Sequence, residues 1–396
     1  MAFATGVAKR VVIAEETVFG TSPVTGGQYL RRVSSDLTLN KDSYESQEIV
    51  VSQQLRDARH GVRRPGGTFS GQISPGSFTK FWEGLLRNTF QATSPVTQNL
   101  TLDPVGGTLT GTGLLASNIK KNDGIRLSGV TGANSTLLNG TNLRVASITD
   151  TVITVRDLPT GCTAGALGAS TTLSLAGKKV WTPQTGQLYK SYSIEHWFSD
   201  IAVSELFTGC RFGQTTIGMP STGLVTFNTQ VIGQDMKPGV AQQLTSPTDS
   251  TSTASLAAVN GKMTYNGQDL AMVTGLTLQI VPALEANPVI GSNIVPWIFM
   301  GMLRVTGTFT ALFQDEVLAN IFVNEQEVAV SVQMTTGSAP NADFMRFTMP
   351  RVKAMSNTKS DGQMSLIQNF NFTALENVVD ATSDLTTLVI QDSAVP

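Results

Sequence analysis

Gly61-Val62-Arg63-Arg64-Pro65-Gly66-Gly67-Thr68-Phe69-Ser70 returns later in the chain as Gly301-Met302-Leu303-Arg304-Val305-Thr306-Gly307-Thr308-Phe309-Thr310. Glycine, arginine, glycine, threonine and phenylalanine keep their places at a constant offset of 240 residues, Gly61 to Gly301. A short helical pattern follows each copy in the same register. After the first, Ser77 is placed to cap a helix whose apolar residues Phe78, Phe81, Trp82, Leu85 and Leu86 recur at helical spacing. After the second, Asp315 is placed to cap a helix carrying Leu318, Ile321 and Phe322, the counterparts of Phe78, Phe81 and Trp82. Before each copy stands a strand-like Leu-Thr-Leu, at Leu37–Leu39 and Leu276–Leu278, offset by 239 (Leu37 to Leu276). Shared register across strand, turn and helix points to an internal duplication, and a repeat decides the architecture of the chain that contains it.

Working outward, 396 residues suffice for two to three domains, each with its own core. Charged residues make up 14%, against roughly 25% in an ordinary globular protein, so polarity comes mainly from Thr, Ser, Asn and Gly. That balance suits β-structure, and it suits a surface consumed by other subunits, since interface cores are poor in charge. A net charge of −2 argues against a basic surface that grips nucleic acid. Two cysteines, Cys162 and Cys210, write neither a disulfide framework nor a tetrathiolate metal site. Met1–Val12 lacks the apolar core of a signal peptide. The most apolar run, Ile294–Leu303, is about half the length of a bilayer span and reads as a buried strand with its approach.

Residues 1–29, with Val11–Ala14 and then a Gly/Pro-rich stretch, read as an N-terminal arm free to reach a neighbour. Residues 30–91 and 179–233 form the first β-sandwich; the alternation in Ser191–Trp197 and Gly223–Val231 marks strands resuming after an interruption. Residues 92–178 have short strands punctuated by Asn-Gly and Asp-Gly turns and read as a small β-barrel or sandwich inserted at a surface loop. Residues 234–259, rich in Ser, Thr and Pro, read as a linker, and 260–396 as the second sandwich. Each repeat has several strands and one covering helix, so the fold class is mainly β.

Convergent titratable groups are missing from the sequence. His60 lies among arginines that repel a metal, and His196 lies in an alternating strand; both read as structural. HExxH, GxSxG, CxxC and Walker A patterns do not occur. Gly111-Thr112-Gly113-Leu114-Leu115-Ala116 satisfies GxGxxA but lacks the surrounding βαβ unit, and reads as a turn. The expectation is no enzyme, no cofactor and no metal. The densest charge, Arg56, Asp57, Arg59, Arg63 and Arg64, lies on a hairpin or loop and is placed to contact an acidic surface of a neighbouring copy. Aromatic residues do not interleave with these arginines, which disfavours a grip on nucleic acid.

The stretch Tyr29–Asp42 with Arg59–Arg64, and then Phe207–Cys210, Gly223–Phe227 and Gly233–Met236, resembles the tail tube proteins of long-tailed bacteriophages. The resemblance covers most of the first repeat and, more weakly, the second. It implies sandwiches whose sheets join across subunits to line a channel, in rings stacked into a tube that carries the genome out. Such rings usually hold six copies of the fold, so two copies per chain imply a trimer with pseudo-sixfold symmetry; six chains per ring is the alternative. It further implies a tape measure protein in the lumen, tail terminator and distal tail or baseplate proteins at the ends, and DNA passing without specific binding. It also implies a place in the virion tail, assembled in the host cytoplasm, with no membrane involved. On this view the inserted segment decorates the outside, while the Arg56–Arg64 hairpin and the N-terminal arm make contacts between rings. Two further readings are a tail terminator or capsid decoration protein, which forms a single ring, and a carbohydrate-binding adhesin, for which 7% aromatic residues are few.

Overall fold

A computed structural model describes residues 3–265, 267–270, 272–314, 316–360 and 365–395. Apolar and small polar residues alternate along much of the chain, and this period of two produces long strands. In chain order they begin with β1 (Lys9–Glu15), β2 (Thr38–Glu45), β3 (Ala58–Gln72), β4 (Lys178–Trp181), β5 (Tyr192–Phe198), β6 (Val203–Pro220), β7 (Thr226–Ile232) and β8 (Asp235–Gly239). They continue with β9 (Gly261–Tyr265), β10 (Val273–Ala286), β11 (Ile298–Leu312), β12 (Glu327–Thr335), β13 (Phe344–Lys359), β14 (Ile367–Leu375) and β15 (Val389–Asp392). Helix α1 (Thr79–Leu86) follows β3, and α2 (Val317–Val323) follows β11.

The strands from β1 to β8, β4 excepted, build two layers that share one long strand. Strand β4 pairs with β15, so residues 178–181 extend the second sandwich and not the first, where the sequence had placed residues 179–181. Ser204–Thr208 of β6 lie between β5 and β8, with β1 beyond β5. From Arg211 on, with a shift of register between Phe212 and Thr215, β6 runs beside β7, followed by β3 and β2. The strands from β9 to β15 follow the same plan. Met345–Thr348 of β13 lie between β12 and β15, with β9 beyond β12; its later residues run beside β14, followed by β11 and β10. Strands β3 and β11 each have 15 residues and stand 240 apart, and both hairpins carry a bulge at matching places, Lys41/Ser43 and Pro282/Leu284. The layers enclose one continuous apolar core that includes Phe69, Phe227, Phe309 and Phe370. The two layers β2-β3-β7-β6 and β10-β11-β14-β13 merge into one eight-stranded sheet, because Thr215–Pro220 of β6 pair with Gly275–Ile280 of β10.

Several expectations are corrected. Residues 9–15 are no free arm: β1 pairs along its length with β5, and Val11, Val12, Ile13 and Ala14 are buried, since so apolar a run gains more from the core than from solvent. The stretch 234–259 is no loose linker either. It contributes β8, buries Leu244 and Leu256, and bonds through Thr245 and Thr248 to the backbone of residues 24–29. Tyr192–His196 are buried on both faces rather than alternating, because β5 lies under the loop that follows β8, whose Gln243 and Leu244 N–H groups donate to Glu195. Val295 and Ile298 are buried within the Ile294–Leu303 run, but Phe299 and Met302 face solvent. The Leu-Thr-Leu echo is two residues out of register: Leu276 stands opposite Phe309, whereas Ser35 stands opposite Phe69. A slip of two preserves the face, so the pattern looked aligned.

The helices also differ from the reading. Ser77 does not cap α1; its hydroxyl bonds to Ser74 Oγ at 2.6 Å and to the Thr251 hydroxyl. Arg87, at φ 56°, ends the helix in the left-handed region, with its N–H donating to Glu83 O. The Asp315 cap lies outside the described residues. Phe78, Phe81 and Trp82 are buried, as are Leu318 and Ile321, but Phe322 is 36% exposed.

Residues 96–175 build a separate eight-stranded sheet around their own core of Leu100, Leu109, Ile125, Leu143, Ile153 and Leu173. This body interrupts the strands of the first plan yet docks on the second. Arg144 holds Asp269 through two bonds of 2.6 and 3.0 Å, and the Gln391 side chain bonds to both Gly124 N and Gly124 O.

The contrast between the two helices yields a stability test. Trp82 packs edge-on to Phe347, with ring centroids 6.1 Å apart, and is fully buried. Trp82→Ala should lower unfolding free energy by about 3–5 kcal/mol, and Phe322→Ala by well under half of that, in denaturant titrations.

Candidate assembly interface

The eight-stranded sheet has two outer edges. Among the described residues β2 pairs only with β3, and Ser356–Lys359 of β13 pair only with β14. Each edge therefore presents a row of backbone N–H and C=O groups with no ladder partner. The two edges correspond to strands that do pair within the chain. Thr215–Gly218 of β6 occupy beside β7 the place that Asn357–Ser360 occupy beside β14, and β10 stands to β11 as β2 stands to β3.

The two faces of this sheet differ in chemistry. One row on the core side runs Phe69–Thr229–Thr215–Ile280–Val305–Ala374, from strand to strand. The opposite face carries Ser70–Asn228–Thr216–Gln279–Thr306–Thr373, ending on Lys353, and below it Gln72–Thr226–Gly218–Thr277–Thr308–Asn371, ending on Ser356. These residues are exposed or half-buried, and apart from Lys353 they carry no charge. Cross-strand bonds tie some of them together, such as Ser34 Oγ to Ser70 Oγ at 2.7 Å and the Thr308 hydroxyl donating to Asn371 at 2.7 Å.

The arginines singled out in the sequence do not form one patch. Arg56 and Arg59 sit at the exposed end of the β2–β3 hairpin and pair locally, with Glu48 at 3.4 Å and Asp57 at 2.9 Å. Arg64 lies farther down the strand and pairs with Asp42 at 3.0 Å, which holds its pKa above the ordinary guanidinium value. Arg63 points to the other side and binds the mostly buried Asp235 of β8 at 2.7 Å. Exposed pairs of this kind contribute at most about 1 kcal/mol each. The loop joining β2 to β3, residues 46–57, leaves Ile49, Val51 and Leu55 in solvent.

The corresponding loop of the second plan, residues 287–297, is docked on the first. Arg63 N donates to Asn293 O at 2.8 Å and Gln234 Nε2 to Val295 O at 2.9 Å, burying Val295. The Arg211 guanidinium lies 4.3 Å from the Trp297 ring centre and 5.0 Å from that of Phe19, and it also donates to Ile298 O. Burial lowers the Arg211 pKa to about 10, so it remains a cation at neutral pH. Sequence reading missed this clamp. Its one visible signal is a lone arginine inside the otherwise uncharged Phe207–Gly213.

The buried ionisable groups elsewhere act as staples. Lys179 reaches Asp123 at 2.9 Å and Asp384 at 2.9 Å; burial works against its charge, but the two carboxylates outweigh burial and raise its pKa. His196 Nε2 lies 2.8 Å from Ser35 Oγ, and Nδ1 lies 3.7 Å from Glu205, an order that a nucleophile and base would adopt. Ser35 is buried and held in a strand opposite Phe69, and burial lowers the histidine pKa, so the trio joins the layers instead. The GxGxxA stretch is a turn: Gly113 has φ 64° and precedes a four-residue helical turn. Cys162 and Cys210 lie in different bodies and are both free. None of the described helices is long and apolar enough to cross a membrane.

Among known families, the one described as phage tail tube protein matches residues 6–374. No curated protein matches the sequence.

A pH test follows from the C-terminal staple. Asp392 on β15 is buried and accepts the Gly76 N–H at 2.7 Å and the Ala394 N–H at 3.0 Å, yet burial still raises its pKa to about 6. An unfolded aspartate titrates near 3.9, so the folded chain holds this proton more tightly and loses stability as pH rises from about 4 to about 6. Asp392→Asn should remove this component: from pH 4 to pH 7, wild-type stability should fall relative to the variant by on the order of 2–3 kcal/mol. Parallel denaturation curves for the two proteins at every pH would refute the assignment.

Proposed function

The chain belongs to the phage tail tube protein family, a structural component of the virion tail, and we propose that it closes rings of three chains that stack into the tube. The observation that carries this reading is the joint between β6 and β10. It is a subunit-type junction inside one chain: the end of the central long strand of one plan binds the edge strand of the other. The two free edges of the sheet are the same two surfaces, so chain after chain can be joined by repeating that junction. Carrying the register of Thr216 opposite Gln279 through the corresponding strands sets Thr358 opposite Thr38 of the next chain, and Asn357 opposite its Leu39. On this reading each chain holds two copies of the tube fold, arisen by duplication, and three chains close a pseudo-sixfold ring without a free edge.

Helices α1 and α2 and the second layers all cover the core side of the sheet, so that side is the outside of the ring. The uncovered Thr/Ser/Asn/Gln face then lines the channel. Apart from Lys353 at the end of one, these two rows carry no fixed cation, so they offer phosphate little counterion-releasing contact, which suits a conduit that DNA must leave. The inserted body, docked on the outer layers, decorates the exterior. A tape measure protein within the lumen, and terminator and distal tail proteins at its ends, are the expected partners.

Cysteine pairing tests the ring. Within one chain, Thr38 and Thr358 stand at opposite ends of an eight-stranded sheet, more than about 30 Å apart at ~4.8 Å per strand, so they cannot join to each other. With both replaced by cysteine, oxidised tubes should run as covalent trimers on non-reducing gels, and either single variant as monomer. Hollow tubes whose rings contain six chains, or intact tubes in which the paired cysteines do not cross-link, would overturn the proposal.

A further inference from the structure

The two hairpins occupy corresponding places in the two plans, but only one of them has a partner. Glu45 opposite Ala58 closes the first, and Ala286 opposite Ile298 closes the second, beyond bulges at the same positions. The residue before β3 is Asp57 and the residue before β11 is Trp297; two positions earlier stand Leu55 and Val295. Val295 is 2% exposed in its seat on the first plan, whereas Leu55 is 60% exposed, with Ile49 and Val51 fully in solvent beside it. Trp297 lies on Arg211. Arg211 pairs with Ile232 of β7, and the residue in that place in the second plan is Lys353, opposite Thr373 of β14.

Resting on the ring reading above, we infer that the β2–β3 loop docks on the second plan of the neighbouring chain in the same ring, with Leu55 seated as Val295 is seated. Asp57 then faces the neighbour's Lys353, where Trp297 faces Arg211 within the chain. Both members of the contact have changed together. An aromatic face on a guanidinium is replaced by a carboxylate on an ammonium, and each is an attractive pairing for its cation. In the free chain Asp57 holds Arg59 at 2.9 Å and Lys353 holds Glu325 at 3.2 Å, both in exposed pairs weak enough to be exchanged. The occupant is a second copy of this chain, because the groove that receives Val295, beside Pro65 and Ile232, has its counterpart beside Val305 and Thr373. The hairpin thereby seals neighbours within one ring, in place of the contact between rings expected from the sequence.

The test is a charge exchange read by native mass spectrometry and negative-stain microscopy. Asp57→Lys and Lys353→Asp should each weaken ring formation by about tenfold or more, by setting like charges face to face. The double variant should recover ring formation to near the wild-type level. Leu55→Ser should weaken rings without altering the unfolding curve of the isolated chain, since the side chain is exposed there. Single variants that still form full rings but no longer stack would place the contact between rings and overturn the inference, as would a double variant no better than the singles. If wild-type protein forms no three-chain ring at all, the ring reading itself fails, a result separate from these.

Discussion

An unpaired strand edge is satisfied by water but hazardous to leave in a cell, because any other extended chain can complete it. This protein carries one layer of eight strands, β2-β3-β7-β6-β10-β11-β14-β13, with such an edge at each end among the described residues. Soluble monomers commonly blunt an edge with bulges, proline or a covering loop. Here β2 has a bulge at Lys41/Ser43 and β13 one at Ala354/Ser356, yet Thr38–Lys41 and Ser356–Lys359 still present unpaired edges, while the same two surfaces satisfy each other where β6 meets β10. On the proposed reading, a copy of the same chain completes the architecture.

The differences between the two plans carry as much meaning as their likeness. Both have a long hairpin beyond the sheet, and both have a cation where the hairpin of the other plan would lie. In one case the partner is in the same chain: Arg211 is buried against Phe19 and the partly exposed Trp297. In the other, the hairpin stands in solvent in the single chain, with Ile49, Val51 and Leu55 exposed. A loop dressed with Arg56, Asp57, Arg59 and Glu48, paired among themselves, stays soluble in a way that an exposed tryptophan clamp would not. The inserted body adds a second asymmetry, since it leaves from the first plan and is bolted by Arg144 and Lys179 to the second.

Much of this was legible. The returning Gly-Arg-Gly-Thr-Phe register marks β3 and β11, because glycine, β-branched and aromatic residues fall where a strand alternates between a crowded core and an open face. The insertion is legible from its turn chemistry. What failed did so for identifiable reasons. Val11–Ala14 looked like an arm because a single apolar strand carries no sign of the distant strand it pairs with, here Tyr192–Phe198. Ser77 was given a cap it does not make, since a serine before a helix has other partners in space. The arginine cluster looked like one patch because sequence adjacency hides the alternation of a strand, which turns Arg63 to Asp235 and Arg64 to Asp42.

The sequence by itself determined local geometry: where strands run, which of their faces is apolar, where helices cover them, and that one long segment obeys a different rhythm. These depend on residues within a few positions of each other, through backbone preference and periodicity. Only the tertiary structure decided which strands meet, which edges remain open, and that Arg211 rather than the arginine cluster clamps a hairpin. Those depend on pairings between residues far apart in the chain, such as Thr216 with Gln279 and Arg211 with Trp297, and no local pattern encodes the partner of an edge.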